Sequence, residues 1–348
     1  MITAQTPSIK RKDLEYVLES LMSEHLEYGI FAKKFEEKLA ERTGCRYGLS
    51  VNSYYSAIDI TFEAINLQEG DEVIISSFAP VIYLDILLRR KAKPVIIDIE
   101  EHSYFPSVQQ VENALTDKTK ALILVHNFGF AIDDTLYKEL VPCLIEDITK
   151  VPGCFIGSKK VGSQADFCIA GFQSSEIITT GEGGAVFSNN KRNYQLLKAI
   201  TGSSHDELIQ SYKISCLIPD INAAMGVSQL SSLDHRLELR KAIGQIYENA
   251  LIKGKGSCLI PKENESRYYS DFPIQVKSPL KDITDFFKRA GIEVIRPFAK
   301  PLHQIMGLPL EDFCNTEHLY LSTLLIPINS NLMKKDVMHI SKNLSVIF

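Results

Sequence analysis

Ser174-Ser175-Glu176-Ile177-Ile178-Thr179-Thr180-Gly181-Glu182-Gly183-Gly184 is the stretch on which the reading of this chain turns. It places a carboxylate ahead of an apolar pair, two threonines and a Gly-Glu-Gly-Gly run. It follows Asp166–Gly171, an apolar segment that reads as a buried strand. Upstream, Tyr47–Val51, Glu72–Ile75, Pro94–Asp98, Ala121–Val125 and Cys143–Asp147 read as further strands. Between them lie helical patterns: Lys10–His25, Phe31–Thr43 (with Phe31, Phe35 and Leu39 four apart), Ser56–Ile65, Val81–Leu88 and Val108–Leu115. Continuous apolar strands separated by helices predict an α/β fold with a mostly parallel sheet covered on both faces. In such sheets the ligand crevice lies beyond the carboxyl ends of the strands. Ser53, Asp147 and the segment from Gly171 to Glu176 all follow strand ends, so they are expected to converge.

Asn222–Ala250 reads as one long helical region leading into a smaller α+β part. That part holds a strand at Phe272–Val276, a helix at Leu280–Ala290, a strand at Ile292–Ile295 and a helix at Lys335–Leu344. The expected division is a large domain over residues 1–240 and a small C-terminal domain over 241–348.

The 348 residues carry a formal charge of −5, which favours neither nucleic acid nor a membrane surface as a partner. The short basic runs Lys10-Arg11-Lys12 and Arg89-Arg90-Lys91 read as solvated faces. Seven cysteines, an odd number without a Cys-x-x-Cys pair, indicate neither a disulfide framework nor a zinc site. The histidines show no metal-ligand spacing, so no metal is expected. No apolar run approaches the ~18 residues of a membrane span, and a reducing cytoplasm is the expected compartment.

Taken in order, several segments resemble the DegT/StrS family of nucleotide-sugar aminotransferases. They are Tyr28–Ala40, Gly70–Ile74, Pro94–Ile99, Val125-His126-Asn127-Phe128-Gly129, Ile145-Glu146-Asp147, Gly181–Gly184, Asp220–Gly226 with Gln229-Leu230, and, near the C-terminus, Gly291-Ile292 and Pro301-Leu302-His303. The resemblance covers nearly the whole chain. It implies the fold type I aminotransferase architecture, a large domain with a smaller C-terminal one, a dimer with active sites at the subunit interface, and pyridoxal phosphate (PLP) as cofactor. It also implies a place in surface-polysaccharide or amino-sugar pathways.

The same resemblance exposes departures. The family's Schiff-base lysine corresponds to Glu176, and a carboxylate cannot form an imine. The Ser-Gly-Thr phosphate turn corresponds to Ser53-Tyr54-Tyr55, where two tyrosines add bulk at a helix N-terminus. The serine expected before the family histidine falls at Gly171, the histidine at Gln173, and the aromatic over the cofactor ring at Pro80. The run that a neighbouring subunit lends reads Ser215-Cys216-Leu217. Asp147 keeps the carboxylate that pairs with the pyridine nitrogen, and the glutamine three residues on is Lys150. A carboxylate about 4 Å from a phosphate or phenolate costs about 4 kcal/mol at an effective dielectric near 20.

The resemblance therefore implies a degenerate, pseudoenzyme-like member without covalent PLP, expected apo. Asp147, Ser53, Tyr55 and Gln173 mark the degraded cofactor positions. Lys150 and Glu176 are expected to pair in the ring space, with Asp147 as a second carboxylate for Lys150, and Tyr54 and Tyr55 to plug the phosphate end. The expected role is a sugar-nucleotide binder or a partner subunit, as a homodimer or paired with an active paralogue. The alternative is an active enzyme using PLP or pyridoxamine phosphate (PMP), a nucleotide-sugar aminotransferase or dehydratase with Glu176 or Lys150 as acid/base. A relocated Schiff base on Lys150 is a narrower variant. His126 reads as supporting structure, His303 as a candidate cleft residue, Asp133-Asp134 as a helix N-cap, and Lys159-Lys160 as a solvated loop.

Overall fold

The computed structural model describes residues 1–23, 26–203, 214–254, 256, 258–262 and 265–347. The C-terminal end of the helix expected to reach His25 lies outside these residues, as does His205.

In chain order the first strands and helices are α1 (Arg11–Met22), α2 (Ile30–Thr43), β1 (Tyr47–Val51), α3 (Tyr54–Ala64), β2 (Glu72–Ser76), α4 (Val81–Arg89), β3 (Lys93–Ile97), α5 (Val108–Ala114) and β4 (Thr119–Val125). There follow β5 (Phe130–Ile132), α6 (Thr135–Lys138), β6 (Leu144–Asp147), β7 (Phe155–Ile156), β8 (Lys159–Lys160), β9 (Phe167–Gly171), β10 (Gly184–Ser188) and α7 (Lys191–Thr201). The C-terminal third adds α8 (Asp220–Ser231), α9 (Leu233–Gly254), β11 (Glu265–Arg267), β12 (Phe272–Gln275), α10 (Leu280–Arg289) and β13 (Thr323–Ile326).

Seven strands form one sheet in the order β1-β10-β9-β6-β4-β2-β3. The strands from β9 through β6, β4 and β2 to β3 run parallel. β10 is antiparallel to both β9 and β1. The mostly parallel α/β sheet expected from the apolar runs is therefore present, and every residue of β2, β6 and β9 is buried. β10 is not legible in the sequence because its five residues directly continue the glycine run, and a short apolar stretch has no period of its own.

Local chemistry sets the ends of the elements. Asp220 caps α2 from across the chain, its carboxylate accepting from the backbone N–H of Gly29, Phe31 and Ala32 at 2.8–3.1 Å. A carboxylate there meets the unpaired amides and the positive end of the helix. A Cβ on Gly29 would lie 2.6 Å from Asp220 Oδ2, so the cap requires glycine. Ser53 caps α3 by accepting from the Ser56 N–H at 3.0 Å.

Two expectations change. The predicted single helix over Asn222–Ala250 is two helices that part at Ser232. Here Ser231 donates to the Ser228 carbonyl, while Ser232 and the Arg236 guanidinium both donate to the Gln229 carbonyl, so side chains compete for the helix acceptors. Ile292–Ile295 is not a strand. It makes single bridges, Ile2 with Ile292 and Ile295 with Leu325, and the following Pro297 has no N–H to extend a ladder.

Candidate functional site

β4, β6 and β9 end side by side, with Val125 opposite Asp147 and Asp147 opposite Ile169. Beyond these carboxyl ends lies a cavity of about 190 Å³. Tyr54, Pro80, Asp147, Lys150, Gln173 and Glu176 reach it from the sheet side, and Asp271 and Phe298 close it from the C-terminal third.

Asp147 is 2 % exposed. Its Oδ2 accepts hydrogen bonds from the hydroxyls of both Tyr54 and Tyr83, the latter at 2.8 Å, and its Oδ1 accepts from the Thr149 N–H at 2.9 Å. Burial first, and the Asp147 charge second, push both phenols well above their ordinary pKa, so each keeps its proton and donates. A buried carboxylate is tolerable only with such partners.

Lys150 sits on the other side of the cavity. Its Nζ is 2.9 Å from Glu176 Oε2 and 3.2 Å from Asp271 Oδ2. Burial acts to lower the Lys150 pKa, but Asp271 and then Glu176 outweigh it and hold the ammonium above the ordinary lysine value. Burial raises the Glu176 carboxyl, and Lys150 pulls it partly back. Arg240 lies behind, buried and donating to the carbonyls of Ser270 and Ile328 at 2.6 and 2.9 Å. The expected Lys150–Glu176 pair is present, but its second carboxylate is Asp271, not Asp147. Asp271 was invisible to sequence reasoning because nothing in Ser270-Asp271-Phe272 marks it.

Ser53 and Tyr55, expected as cofactor contacts, do not line the cavity. The Ser53 hydroxyl is engaged with Ser56 at the start of α3. Tyr55 follows on the next face of the helix, where its hydroxyl approaches Arg89 and its ring packs on the core. Gln173 does line the cavity. His303 is not a cleft residue: it is fully buried, bonded through Nδ1 to Ser77 Oγ at 2.6 Å, with Nε2 2.8 Å from Glu317 Oε1, and stacked on Phe313. Lys159 and Lys160 form one arm of a short hairpin with Phe155–Ile156.

His126 also lines the cavity, and its Nε2 is 2.8 Å from Glu146 Oε1, with both side chains fully buried. Asp134 is buried beside them, while the N-cap contact before α6 comes from Asp133, which accepts from the Thr135 N–H at 3.1 Å. Burial pushes Glu146 up to about 8 and Asp134 up to about 7, and pushes His126 down to about 4. The two acids hold their protons to higher pH in the folded chain than in the unfolded one. Their contribution to stability is complete below the ordinary carboxylate range and is lost as pH rises through about 7 and 8. His126 has the opposite sign, but acts only between its folded value of about 4 and the ordinary histidine value. Unfolding stability should therefore fall by about 2 kcal/mol from pH ~6.5 to ~8, at 1.36 kcal/mol per unit and group. Denaturant titrations at the two pH values check this, and Glu146→Gln should flatten most of the decline.

The DegT/DnrJ/EryC1/StrS aminotransferase family model matches residues 7–345. The chain belongs to that family. Two relatives and two solved structures are among the proteins it is similar to. GDP-perosamine synthase of Escherichia coli O157:H7 is 28% identical over 291 residues, 79% of this chain and 77% of that protein. The protein MJ1066 of Methanocaldococcus jannaschii is 26% identical, over 96% of this chain and 94% of its own. Helicobacter pylori PseC, an aminotransferase involved in pseudoaminic acid biosynthesis, superposes with a TM-score of 0.89 at 23% identity, over 98% of this chain and 97% of its own. Spr1654 of Streptococcus pneumoniae in its PLP-form gives a TM-score of 0.91 at 20% identity, over 99% and 97%. The fold is thus the α/β fold type I architecture of the PLP-dependent sugar aminotransferases, and the DegT family to which the chain belongs acts in nucleotide-sugar biosynthesis. Among the described residues, no helix is long and apolar enough to cross a membrane and no group of side chains forms a metal site.

Proposed function

We propose that this chain is a degenerate DegT-family member that has given up PLP-dependent transamination and serves surface-polysaccharide or amino-sugar metabolism as a sugar-nucleotide binder or partner subunit. The observation that carries this reading is the Lys150 ammonium held between Glu176 and Asp271 at the cavity. A fully protonated lysine has no lone pair for an imine, and Lys150 is the lysine lining the cavity among the described residues.

The other residues do not fit PLP either. Oδ2 of Asp147, the family's pyridine partner by resemblance, already takes two phenol donors. The Ser53 hydroxyl serves its own helix, and two carboxylates face the space that an anionic cofactor would need. A cytoplasmic dimer, either with a second copy or with an active paralogue, and a division into domains near residue 240 complete the proposal. A separate apolar cluster that gathers residues from Ile243 to Leu344 supports the division, although α9 crosses residue 240 unbroken.

One observation favours a second reading, an active PLP- or PMP-dependent enzyme with Glu176 as acid/base. Burial raises the Glu176 carboxyl, the direction a general acid at neutral pH needs. Melting curves with UDP-, GDP- and dTDP-sugars, each with and without PLP, separate the two. Stabilisation by a sugar nucleotide alone, about 2.7 kcal/mol at a hundred times Kd, is the expected result. Stabilisation that requires PLP supports the second reading instead.

A further inference from the structure

We infer that Tyr54 is a built-in occupant of the ring slot at the carboxyl ends of β6 and β9, an internal ligand in the seat where the fold's relatives hold a pyridine ring. This goes beyond the proposed function, because it holds whether or not a sugar nucleotide binds.

The slot is moulded at its end and along its flank. At its far end the Tyr54 hydroxyl donates to Asp147, as does Tyr83, whose ring meets that of Tyr54 edge-on at 6.1 Å and 88°. Along its flank lies Gly171. A Cβ on that residue would stand 2.9 and 3.0 Å from Tyr54 Cδ2 and Cγ, so the ring lies directly over the glycine backbone. Gly171 does not have a left-handed backbone. Its side chain is excluded by the tyrosine ring and by Gln173, whose Oε1 would be 2.6 Å away, and not by conformational need. Thr149 ties these parts together. Its N–H binds Asp147 Oδ1 and its hydroxyl accepts from the Gly171 N–H at 2.9 Å. The tyrosine enters from the first turn of α3, where Ser53 fixes the helix start. It is 5 % exposed and forms a wall of the remaining cavity.

A side chain that acts as a ligand can be replaced by the same molecule added free. The probe is 4-methylphenol, the tyrosine side chain itself, with toluene as its hydroxyl-less counterpart. Tyr54→Gly opens a slot of side-chain size that ends on a hydrogen-bond acceptor, and buried cavities opened by truncation take up small aromatic molecules that match them. The melting temperature of Y54G should rise saturably with 4-methylphenol and about tenfold less effectively with toluene, the factor that one hydrogen bond to a charged group supplies. Wild type and Tyr54→Phe, whose slots are filled, should show no shift with either probe. Equal shifts in all three proteins, or equal effects of the two probes on Y54G, overturn the inference.

If Y54G does not fold, Tyr54→Phe and Gly171→Ala test the same mould. Each should lower the melting temperature, Y54F by removing a donor from Asp147 and G171A by colliding with the ring. Wild-type melting for both overturns the inference, as does PLP binding to the wild type in a way that Asp147→Asn abolishes. None of these results depends on sugar nucleotides, so failure here and failure of the proposed function are separately visible.

Discussion

Lys150→Met is expected to destabilise the protein by about 3 kcal/mol, while Glu176→Gln should cost only about 1 kcal/mol. The asymmetry follows from charge. Removing the lysine leaves Glu176 and Asp271 facing each other with their side chains 10% and 14% exposed. An unpaired buried charge costs about 3–5 kcal/mol. The lower end applies because the Lys150 side chain keeps 23% exposure and water can reach the gap. Removing Glu176 instead leaves Lys150 bonded to Asp271, so no charge is stranded. The triple change Lys150→Met, Glu176→Gln, Asp271→Asn removes every charge at once and should recover most of the loss. The deficit of K150M should also shrink as pH falls toward the ordinary carboxylate range, because the stranded acids can then take up protons. Denaturant unfolding of the three variants decides the matter. A K150M protein within 0.5 kcal/mol (roughly the scatter of surface substitutions) of the wild type would mean that the cluster is solvated and carries no weight.

The sheet was legible because its strands are short, continuous apolar runs, and such runs have few other places to go. Glu72–Ser76 and Leu144–Asp147 came out within a residue of their final bounds for that reason. Segments whose structure depends on distant partners were not legible. The break at Ser232 is set by Arg236 reaching back to the Gln229 carbonyl, and no local preference announces it. Ile292–Ile295 has strand composition but finds only single partners.

The site divides in the same way. The pairing of Lys150 with Glu176 could be read from the exchange of charge between two positions. The third member, Asp271, arrives from the C-terminal third and carries no local mark. From the sequence, Tyr54 and Tyr55 are both expected to plug the phosphate end, and Tyr54 takes another direction. It runs through the slot to Asp147, whereas Tyr55, one residue on, turns to the outer face beside Arg89. Successive residues of a helix point about 100° apart, so two tyrosines in one turn cannot both enter one slot. Nothing in the sequence marks Tyr83, since a tyrosine in an apolar helix reads as core, and it is core as well as a donor.

Glu176→Lys, which on the proposed reading restores the family's lysine, is expected to yield neither transaminase turnover nor a PLP absorbance band, and to destabilise the fold. The new ammonium would face Lys150, now with Asp271 as the shared carboxylate and Arg240 behind it. Two like charges about 4 Å apart repel by about 4 kcal/mol at an effective dielectric near 20. Much of that strain is relieved if one amine gives up its proton, since a lysine beside another cation has a lowered pKa. A neutral amine is what imine chemistry requires, so the electrostatics alone would permit reaction. What forbids it is space: the ring seat between Asp147 and Gly171 belongs to Tyr54. Glu176→Lys combined with Tyr54→Gly should therefore bind PLP detectably where neither single change does. An absorbance titration of the four proteins makes the comparison. Turnover by Glu176→Lys alone would mean that Tyr54 leaves the slot readily and that one carboxylate, not a filled seat, is what opposes PLP chemistry here.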